Sequence, residues 1–146
     1  MRSLTTRVNE LSGHPVDVGQ RTEAIVLAEL VKRGHKVLVP FGTNHRYDFV
    51  LDTRDGFLRV QCKTGRLYNG VIRFNTVSVR SNTRKTFRQS YHGDADLFLI
   101  YCPQTDRVYA VDVEEAASGI GSLRVAPTAN SQAKGVRWAA EYELPA

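Results

Sequence analysis

The stretch LRVQCK, residues 58–63, alternates apolar and polar residues, and the fold is inferred outward from it. Successive side chains of a β-strand point to opposite faces, so this alternation predicts a half-buried strand. Three apolar side chains would face a core and three polar ones the other side: Leu58, Val60 and Cys62, then Arg59, Gln61 and Lys63. The polar face is either an ordinary solvated surface or one wall of a site.

The sequence before this strand predicts a helix and two further strands. YDFVLD (residues 47–52) is typical of a strand, and the turn TRDG, closed by Gly56, makes residues 57–63 its hairpin partner. KVLVP (residues 36–40) predicts a short strand that ends at Pro40. Residues 19–33 predict an amphipathic helix that stops at Gly34, with Asp17 as a possible N-cap.

The sequence after this strand predicts more strands around a variable segment. TGRLYNG (residues 64–70) indicates a loop, VIRFNTVSV (71–79) a strand, and the polar residues 81–92 a helix or a mobile loop. ADLFLIYC (95–102) predicts a strand buried on both faces, paired with DRVYAVDV (106–113). SLRV and VRWAAEYEL (136–144) would close the core around Trp138.

This order predicts a mixed α/β (α+β) fold with a central mixed sheet flanked by helices. Residues 1–146 would form a single domain, with residues 1–18 as an N-terminal arm and residues 64–93 as a basic insertion.

Composition restricts where such a protein works. The sequence has no apolar run of the ~18 residues needed for a membrane span, and its first residues lack an apolar segment of signal-peptide length. Cys62 and Cys102 lie in apolar surroundings. Two cysteines and four scattered histidines do not form a zinc-binding pattern. We expect buried thiols in a reducing, cytoplasmic setting where the protein is associated with the nucleoid.

Basic side chains are concentrated in the middle of the chain. Residues 56–93 carry eight basic and no acidic side chains, whereas residues 94–146 carry four basic and eight acidic ones. Charge of one sign over such a length favours a nucleic-acid backbone as partner over an ordinary solvated face. We predict DNA contacts by Arg46, Arg59, Arg66, Arg73, Arg80, Arg84, Lys85 and Arg88. Four aromatic residues interleaved with them would either stack on bases or pack internally: Tyr68, Phe74, Phe87 and Tyr91.

Four polar residues interrupt their local patterns. Glu23 lies at the edge of the helical apolar stripe, Asp48 opens the second strand, and Gln61 and Lys63 share a face of the third. Carboxylate, amide and water oxygens are the ligands that Mg²⁺ prefers, and a neighbouring lysine can orient water and neutralise a phosphate. We therefore predict Glu23, Asp48 and Gln61 as ligands of Mg²⁺ (or Mn²⁺), with Lys63 assisting the attacking water. Each residue alone also has an ordinary structural interpretation. His45 is near enough to Asp48 in sequence to be worth testing as a base.

Glu23, Asp48 and QCK in this order resemble the PD-(D/E)XK nuclease superfamily. The closest resemblance is to the small endonucleases associated with group I introns, which have glutamine at the (D/E) position. It extends over GQRTEA, RYDFVLD, VQCKTGR, residues 91–113 and, more weakly, residues 130–144. Through the four core positions alone, the sequence is also similar to archaeal-type Holliday-junction resolvases, which are single-domain, basic and dimeric.

The resemblance implies a restriction-endonuclease-like core and metal-dependent cleavage of DNA. The implied catalytic residues are Glu23, Asp48, Gln61 and Lys63. Because Gln61 is uncharged, the ligand set would carry two formal negative charges instead of three.

Three functional alternatives remain at this point. The small size of the chain favours a homodimeric resolvase that recognises a four-way junction by shape, and this is the expectation from the sequence. The intron-associated relatives favour a homing-type enzyme with a long specific duplex site, for which so small a domain has few elements to place in a major groove. A third alternative is a nucleic-acid-binding protein that has the fold without the activity.

Overall fold

The secondary structure follows from a computed structural model that describes residues 1, 3–8, 11, 13–128, 130 and 133–145. The helices are α1 (Leu4–Val8), α2 (Pro15–Lys32) and α3 (Ala139–Tyr142), with a short 3₁₀ helix at Val113–Glu115. The strands are β1 (Lys36–Leu38), β2 (Phe49–Thr53), β3 (Gly56–Thr64), β4 (Arg66–Tyr68), β5 (Val71–Asn75), β6 (Val77–Ser81), β7 (Thr86–Ser90), β8 (Leu97–Cys102), β9 (Arg107–Asp112) and β10 (Ile120–Arg124). Within the described ranges, no helix has the length and apolar character needed to cross a membrane.

The central sheet is mixed, as the sequence predicts. Its strand order is β1-β2-β3-β8-β9. β2 and β3 form the predicted antiparallel hairpin, with Phe49 opposite Val60. β3 then runs parallel to β8, and β9 pairs antiparallel with β8. The strand that carries QCK is therefore fixed on both sides by hydrogen bonds.

Helix α2 begins one turn earlier than the sequence indicates. His14 is the N-cap, since its Nδ1 accepts a hydrogen bond from the Val16 amide at 3.3 Å, and Pro15 occupies the first turn. Asp17 lies inside the first turn instead of capping it, so the predicted start at Gly19 is wrong. The predicted arm of residues 1–18 is thus shorter and includes α1; positions 2, 9, 10 and 12 within it lie outside the described residues. The predicted stop is confirmed, with Gly34 at a φ of 83°.

Two hydrophobic cores cover the two faces of the central sheet. On one face, α2 packs Val26 and Leu30 against β2, β3 and β8. On the other face lies a second sheet of order β10-β5-β4, which contributes Ile72, Phe74 and Leu123. β8 supplies residues to both cores and is buried on both sides, as its apolar sequence predicts.

The segment predicted as a basic insertion is not one unit. Its first part belongs to the fold, because TGRLYNG contains β4 and because β5 is in the core. The predicted strand over residues 71–79 is interrupted at Thr76, where β5 ends and β6 follows. Residues 81–92 are neither helix nor mobile loop: they contain β7, which pairs with β6 as an antiparallel hairpin.

Gly65 lets the chain turn directly from β3 into β4. A Cβ atom at this position would lie 2.7 Å from Cγ2 of Ile72 and 2.9 Å from Cγ2 of Ile100. Only glycine fits between the two sheets here, so the sheets approach closely just beyond Lys63.

The C-terminal part closes the core as a short helix with strand-like bridges. Trp138 is half-buried and makes a parallel bridge with Arg124, and Glu143 bridges to Tyr109 on β9. Residues 131 and 132, within the segment that carries the weaker resemblance, lie outside the described residues.

Candidate active site

Asp48 is fixed to β3 by its backbone and its side chain. Its amide donates to the carbonyl of Val60 at 2.7 Å, and its Oδ2 accepts from the amide of Cys62 at 2.7 Å. These two bonds hold the carboxylate at the start of β2, beside the QCK segment. A loop residue held this way has little conformational freedom to lose when it binds a ligand.

Glu23 reaches the same place from α2. Its carboxyl group lies close enough to that of Asp48 for the two to share a hydrogen bond when one of them is protonated. The hydroxyls of Thr22 and Thr64 are 2.6 Å apart, so a direct hydrogen bond joins α2 to the end of β3 next to Lys63. Helix α2, the start of β2 and the end of β3 therefore meet at the candidate site.

Burial raises the proton affinity of both carboxyl groups, and the Asp48 carboxylate raises that of Glu23 further. Burial, the charge of Asp48 and the hydrogen bond to Asp48 raise the pKa of Glu23 to about 7. Burial also raises the pKa of Asp48, against the opposing effects of the Cys62 amide, the Glu23 hydrogen bond and the Lys63 charge. A divalent cation bound at this pair would therefore compete with a proton near neutral pH.

Gln61 and Lys63 lie on the same face of β3, as their strand parity predicts. Gln61 follows Val60, the Cα partner of Phe49, so it is next to Asp48 across the two strands. Its Nε2 donates weakly to the carbonyl of Cys62 at 3.4 Å, and its Oε1 accepts no hydrogen bond from the described part of the chain. That oxygen is available to a ligand.

Lys63 is held by Tyr91, a residue whose role the sequence did not indicate. Its Nζ donates to the Tyr91 hydroxyl at 3.1 Å and lies 4.4 Å from the ring centroid. The guanidinium of Arg46 lies 4.2 Å from the same centroid, so both cations contact this ring. Tyr91 is only 5% exposed and packs edge-on against Phe98, so it cannot stack on bases.

The other interleaved aromatic residues divide between core and surface. Phe74 is buried in the core beneath the second sheet, whereas Tyr68 and Phe87 are exposed. The sequence alone did not show which of these aromatic side chains are buried. That depends on how β4 pairs with β5 and how β6 pairs with β7.

Two of the predicted DNA-binding arginines are bound by acidic side chains. Arg59 makes a two-pronged ion pair with Asp96, at 3.1 Å from Nε and 3.0 Å from Nη2, so its partner is not Asp52. Arg46 binds Asp94 at 3.1 Å, and it also donates to Ser78 Oγ and to the Ser90 carbonyl, each at 2.6 Å. Both arginines join elements of the fold, and their charges are already paired with carboxylates of the chain instead of being free for phosphates.

The remaining predicted DNA-binding residues extend into solvent. They are Arg66, Arg73, Arg80, Arg84, Lys85 and Arg88. Within residues 13–128, none of their side chains makes a hydrogen bond or an ion pair. Arg66 and Arg73 are direct partners across β4 and β5, an arrangement of like charges that an anion would relieve.

A cleft of about 550 Å³ opens beside the carboxylate pair, between the first half of α2 and the loop of residues 39–48. Glu23 and Asp48 line it together with Gln20 and His45. The Nε2 of His45 is 2.6 Å from the carbonyl of Phe41, so this histidine is tied to its own loop. The other histidines take no part: His14 caps α2, and His92 is near Glu114.

The donor set fits a hard divalent cation better than zinc. Within the described ranges, no three His, Cys, Asp or Glu side chains cluster as metal ligands. The two carboxylates and the amide oxygen of Gln61 instead resemble the partial oxygen shell with which proteins hold Mg²⁺, where water and phosphate complete the octahedron. A bound cation would also relieve the repulsion between the Glu23 and Asp48 carboxylates, which adds to burial in raising the pKa of Glu23.

Comparisons with known proteins agree with this fold. A solved bacterial homing endonuclease, I-Ssp6803I, superposes with a TM-score of 0.70 over 90% of this chain and 89% of that chain, at 23% sequence identity. At that identity the similarity establishes the fold. Among curated proteins, no match to the sequence is found. The sequence profile described as PD-(D/E)XK endonuclease matches residues 14–145, so the chain belongs to the PD-(D/E)XK endonuclease family.

Proposed function

We propose that the protein is a metal-dependent endonuclease that hydrolyses phosphodiester bonds of double-stranded DNA. The observation that carries the proposal is the close pair of carboxyl groups of Glu23 and Asp48, next to an amide oxygen of Gln61 that accepts no hydrogen bond from the described residues. Together they would hold Mg²⁺ (or Mn²⁺), which when bound polarises the phosphoryl group and lowers the pKa of water.

The residues of the chain then have separate tasks. Glu23, Asp48 and Gln61 would hold the ion, and the backbone bonds of Asp48 keep that carboxylate in place. Lys63, held by Tyr91, supplies a positive charge beside the site and can orient the attacking water. Arg66, with Arg73 opposite it, offers two adjacent positive charges to the DNA backbone.

Duplex DNA is favoured over a four-way junction by one structural element. The size argument for a junction assumed that the chain has few elements to place in a major groove. The β6–β7 hairpin is a basic two-stranded ribbon of the kind that a major groove admits. The structural neighbour I-Ssp6803I is a homing endonuclease, and cleavage of a specific duplex site by the present chain is consistent with that comparison.

We further propose that the active form is a homodimer. A double-strand break needs one hydrolytic site for each strand, and a two-fold pair of identical chains supplies both. Light scattering of the protein with and without duplex DNA measures this directly. A monomer in both conditions, with the cleavage rate proportional to monomer concentration, would contradict the dimer.

The deciding experiment compares three DNA substrates of equal arm length: a linear duplex, a Y-fork and a fixed four-way junction. The linear duplex is cut from plasmids that carry a random insert library, so that the target need not be known in advance. We expect Mg²⁺-dependent cuts in a subset of duplexes and no cleavage in EDTA. Preferential symmetric nicking of the junction, resistant to competition by linear duplex, would support a resolvase instead.

Variants separate the enzyme from a non-catalytic DNA-binding protein. Asp48→Ala and Lys63→Ala should each abolish cleavage while leaving much of the DNA affinity intact. Lys36→Ala, at an exposed lysine of β1, is the matched control and should cut normally. Binding without cleavage by the unmodified protein in Mg²⁺ and in Mn²⁺ would refute an enzymatic function, and wild-type rates in both site variants would refute this site.

A further inference from the structure

The β6–β7 hairpin is a solvent-exposed ribbon with a basic tip. Each strand has five residues, and every residue of β7 is exposed. Asn82 shapes the tip, because its Oδ1 accepts from the amides of Arg84 at 2.9 Å and Lys85 at 2.7 Å. An Asx-type turn of this kind places these two basic residues at the far end of the ribbon.

The base of the ribbon is anchored beside the candidate active site. Arg46 donates to Ser78 Oγ on β6 and to the Ser90 carbonyl on β7, so one side chain is hydrogen-bonded to both strands. The same guanidinium lies over the Tyr91 ring that also contacts Lys63. The ribbon therefore projects from the wall of the site with a defined direction.

The pairing register separates the ribbon into two faces. Ser78, Arg80, Phe87 and Gln89 share one face, because Arg80 is opposite Phe87 and Ser78 is opposite Gln89. Arg88 and Val79 belong to the opposite face. Ser78 directs its hydroxyl to Arg46, so the face with Arg80 and Gln89 is continuous with the side of the domain that holds Lys63.

The dimensions of the ribbon select among nucleic-acid grooves. Two strands about 5 Å apart, with their side chains, fill a major groove about 12 Å wide but not a minor groove about 6 Å wide. The deep, narrow major groove of double-stranded RNA is closed to it. Five-residue strands reach about 17 Å, which is enough to cover a few base pairs.

We propose that the β6–β7 hairpin enters the major groove of duplex DNA and reads base edges with the face that carries Arg80 and Gln89. This inference rests on the proposed duplex substrate and adds the element that gives sequence preference. Arginine matches O6 and N7 of guanine, and glutamine matches N6 and N7 of adenine, each with two hydrogen bonds. Arg84 and Lys85 at the tip, and Arg88 on the other face, contact phosphates.

The test uses the full chain with Ca²⁺ or EDTA, so that DNA is bound but not cut. A preferred site is selected from a random duplex pool, and dimethyl sulfate then probes guanine N7 within it. We expect N7 protection and a loss of affinity when 7-deazaguanine replaces one or more guanines. Arg80→Ala should lower the preference for one base pair about 5- to 150-fold and relax the selected motif there.

Arg88→Ala is the matched control on the opposite face. It should weaken binding to all duplexes alike and lower the slope of log affinity against log salt by about one. Equal losses on every sequence for both variants, or a selected motif with no N7 contact, would overturn the inference.

The outcome is distinguishable from failure of the proposed function. Metal-dependent cleavage of duplex DNA without any N7 footprint would refute base reading by the hairpin and would support the proposed endonuclease activity. An N7 footprint at a selected motif without cleavage in Mg²⁺ or Mn²⁺ would refute the proposed endonuclease activity and would support base reading by the hairpin.

Discussion

Replacing Tyr91 with phenylalanine tests whether the position of Lys63 matters for cleavage. The change removes the hydroxyl that accepts a hydrogen bond from Nζ at 3.1 Å, and it keeps the ring that packs against Phe98 and lies beside two cations. Hydrogen bonds to charged groups contribute about 1.5–3 kcal/mol. Lys63 is half-buried and can recover part of this from water, so we take the lower end of that range.

A loss of about 1.4 kcal/mol of transition-state stabilisation corresponds to a tenfold slower cleavage step. We expect Tyr91→Phe to reduce the single-turnover rate in Mg²⁺ about tenfold, with a DNA Kd in Ca²⁺ within twofold of the unmodified protein. Its free energy of unfolding should fall by about 0.5–1.5 kcal/mol.

Tyr68→Phe supplies the control, since Tyr68 is 75% exposed on β4 and has no contact with Lys63. Its rate should be unchanged. An unchanged rate in Tyr91→Phe would refute the reasoning, and so would a parallel loss of rate and affinity, because both results mean that Tyr91 does not act through the position of Lys63.

Three further predictions concern stability and metal binding. Asp96→Asn should lower the free energy of unfolding by about 1 kcal/mol at pH 7 by urea denaturation, since the pair with Arg59 is partly exposed. Arg59 lowers the pKa of Asp96, so this stabilisation is present above the ordinary carboxyl pKa and disappears as the pH falls below about 4. The pKa of Glu23 is raised to about 7, so protonation of this group stabilises the fold at low pH, and that stabilisation is lost as the pH rises through 7. Below that pH, Mg²⁺ must displace the proton in order to bind. Calorimetry should give a metal affinity that rises between pH 5.5 and 7.5 with proton release, and Glu23→Gln should remove this dependence. Gly65→Ala should destabilise the fold by about 1–3 kcal/mol by thermal or urea unfolding, because its Cβ would collide with Ile72 and Ile100; an unchanged midpoint would refute the close approach of the sheets.

Local sequence patterns predicted the elements that form around the candidate site. The alternation in LRVQCK, the turn closed by Gly56 and the apolar run of β8 each specify a strand by short-range physics, and all three are present. The predicted site residues also derive from such patterns, because Glu23 lies at the edge of the apolar stripe of its helix and Gln61 and Lys63 share the polar face of their strand. Of the predicted grouping, the structure brings Glu23 close to Asp48 and places Gln61 beside Asp48 across the hairpin.

Long-range pairing was beyond the reach of those patterns. Arg59 and Arg46 are of the right type for phosphate contacts, and only the folded chain brings Asp96 and Asp94, 37 and 48 residues later, against them. β7 has no apolar alternation, since all its residues are exposed, so nothing in its own sequence distinguishes it from a loop. Its strand conformation comes from pairing with β6.

Because the β6–β7 hairpin is exposed, substitutions that change the choice of DNA target can occur on it without disturbing the fold. Residues 77–90 contribute to neither hydrophobic core, so most substitutions on the ribbon should change stability by only about 0.5 kcal/mol. Relatives can therefore diverge freely along these two strands and acquire new target preferences, while the residues that anchor the ribbon and build the hydrolytic centre stay under structural constraint. Comparing substitution rates in the two groups of residues among relatives would show whether such modular divergence has occurred.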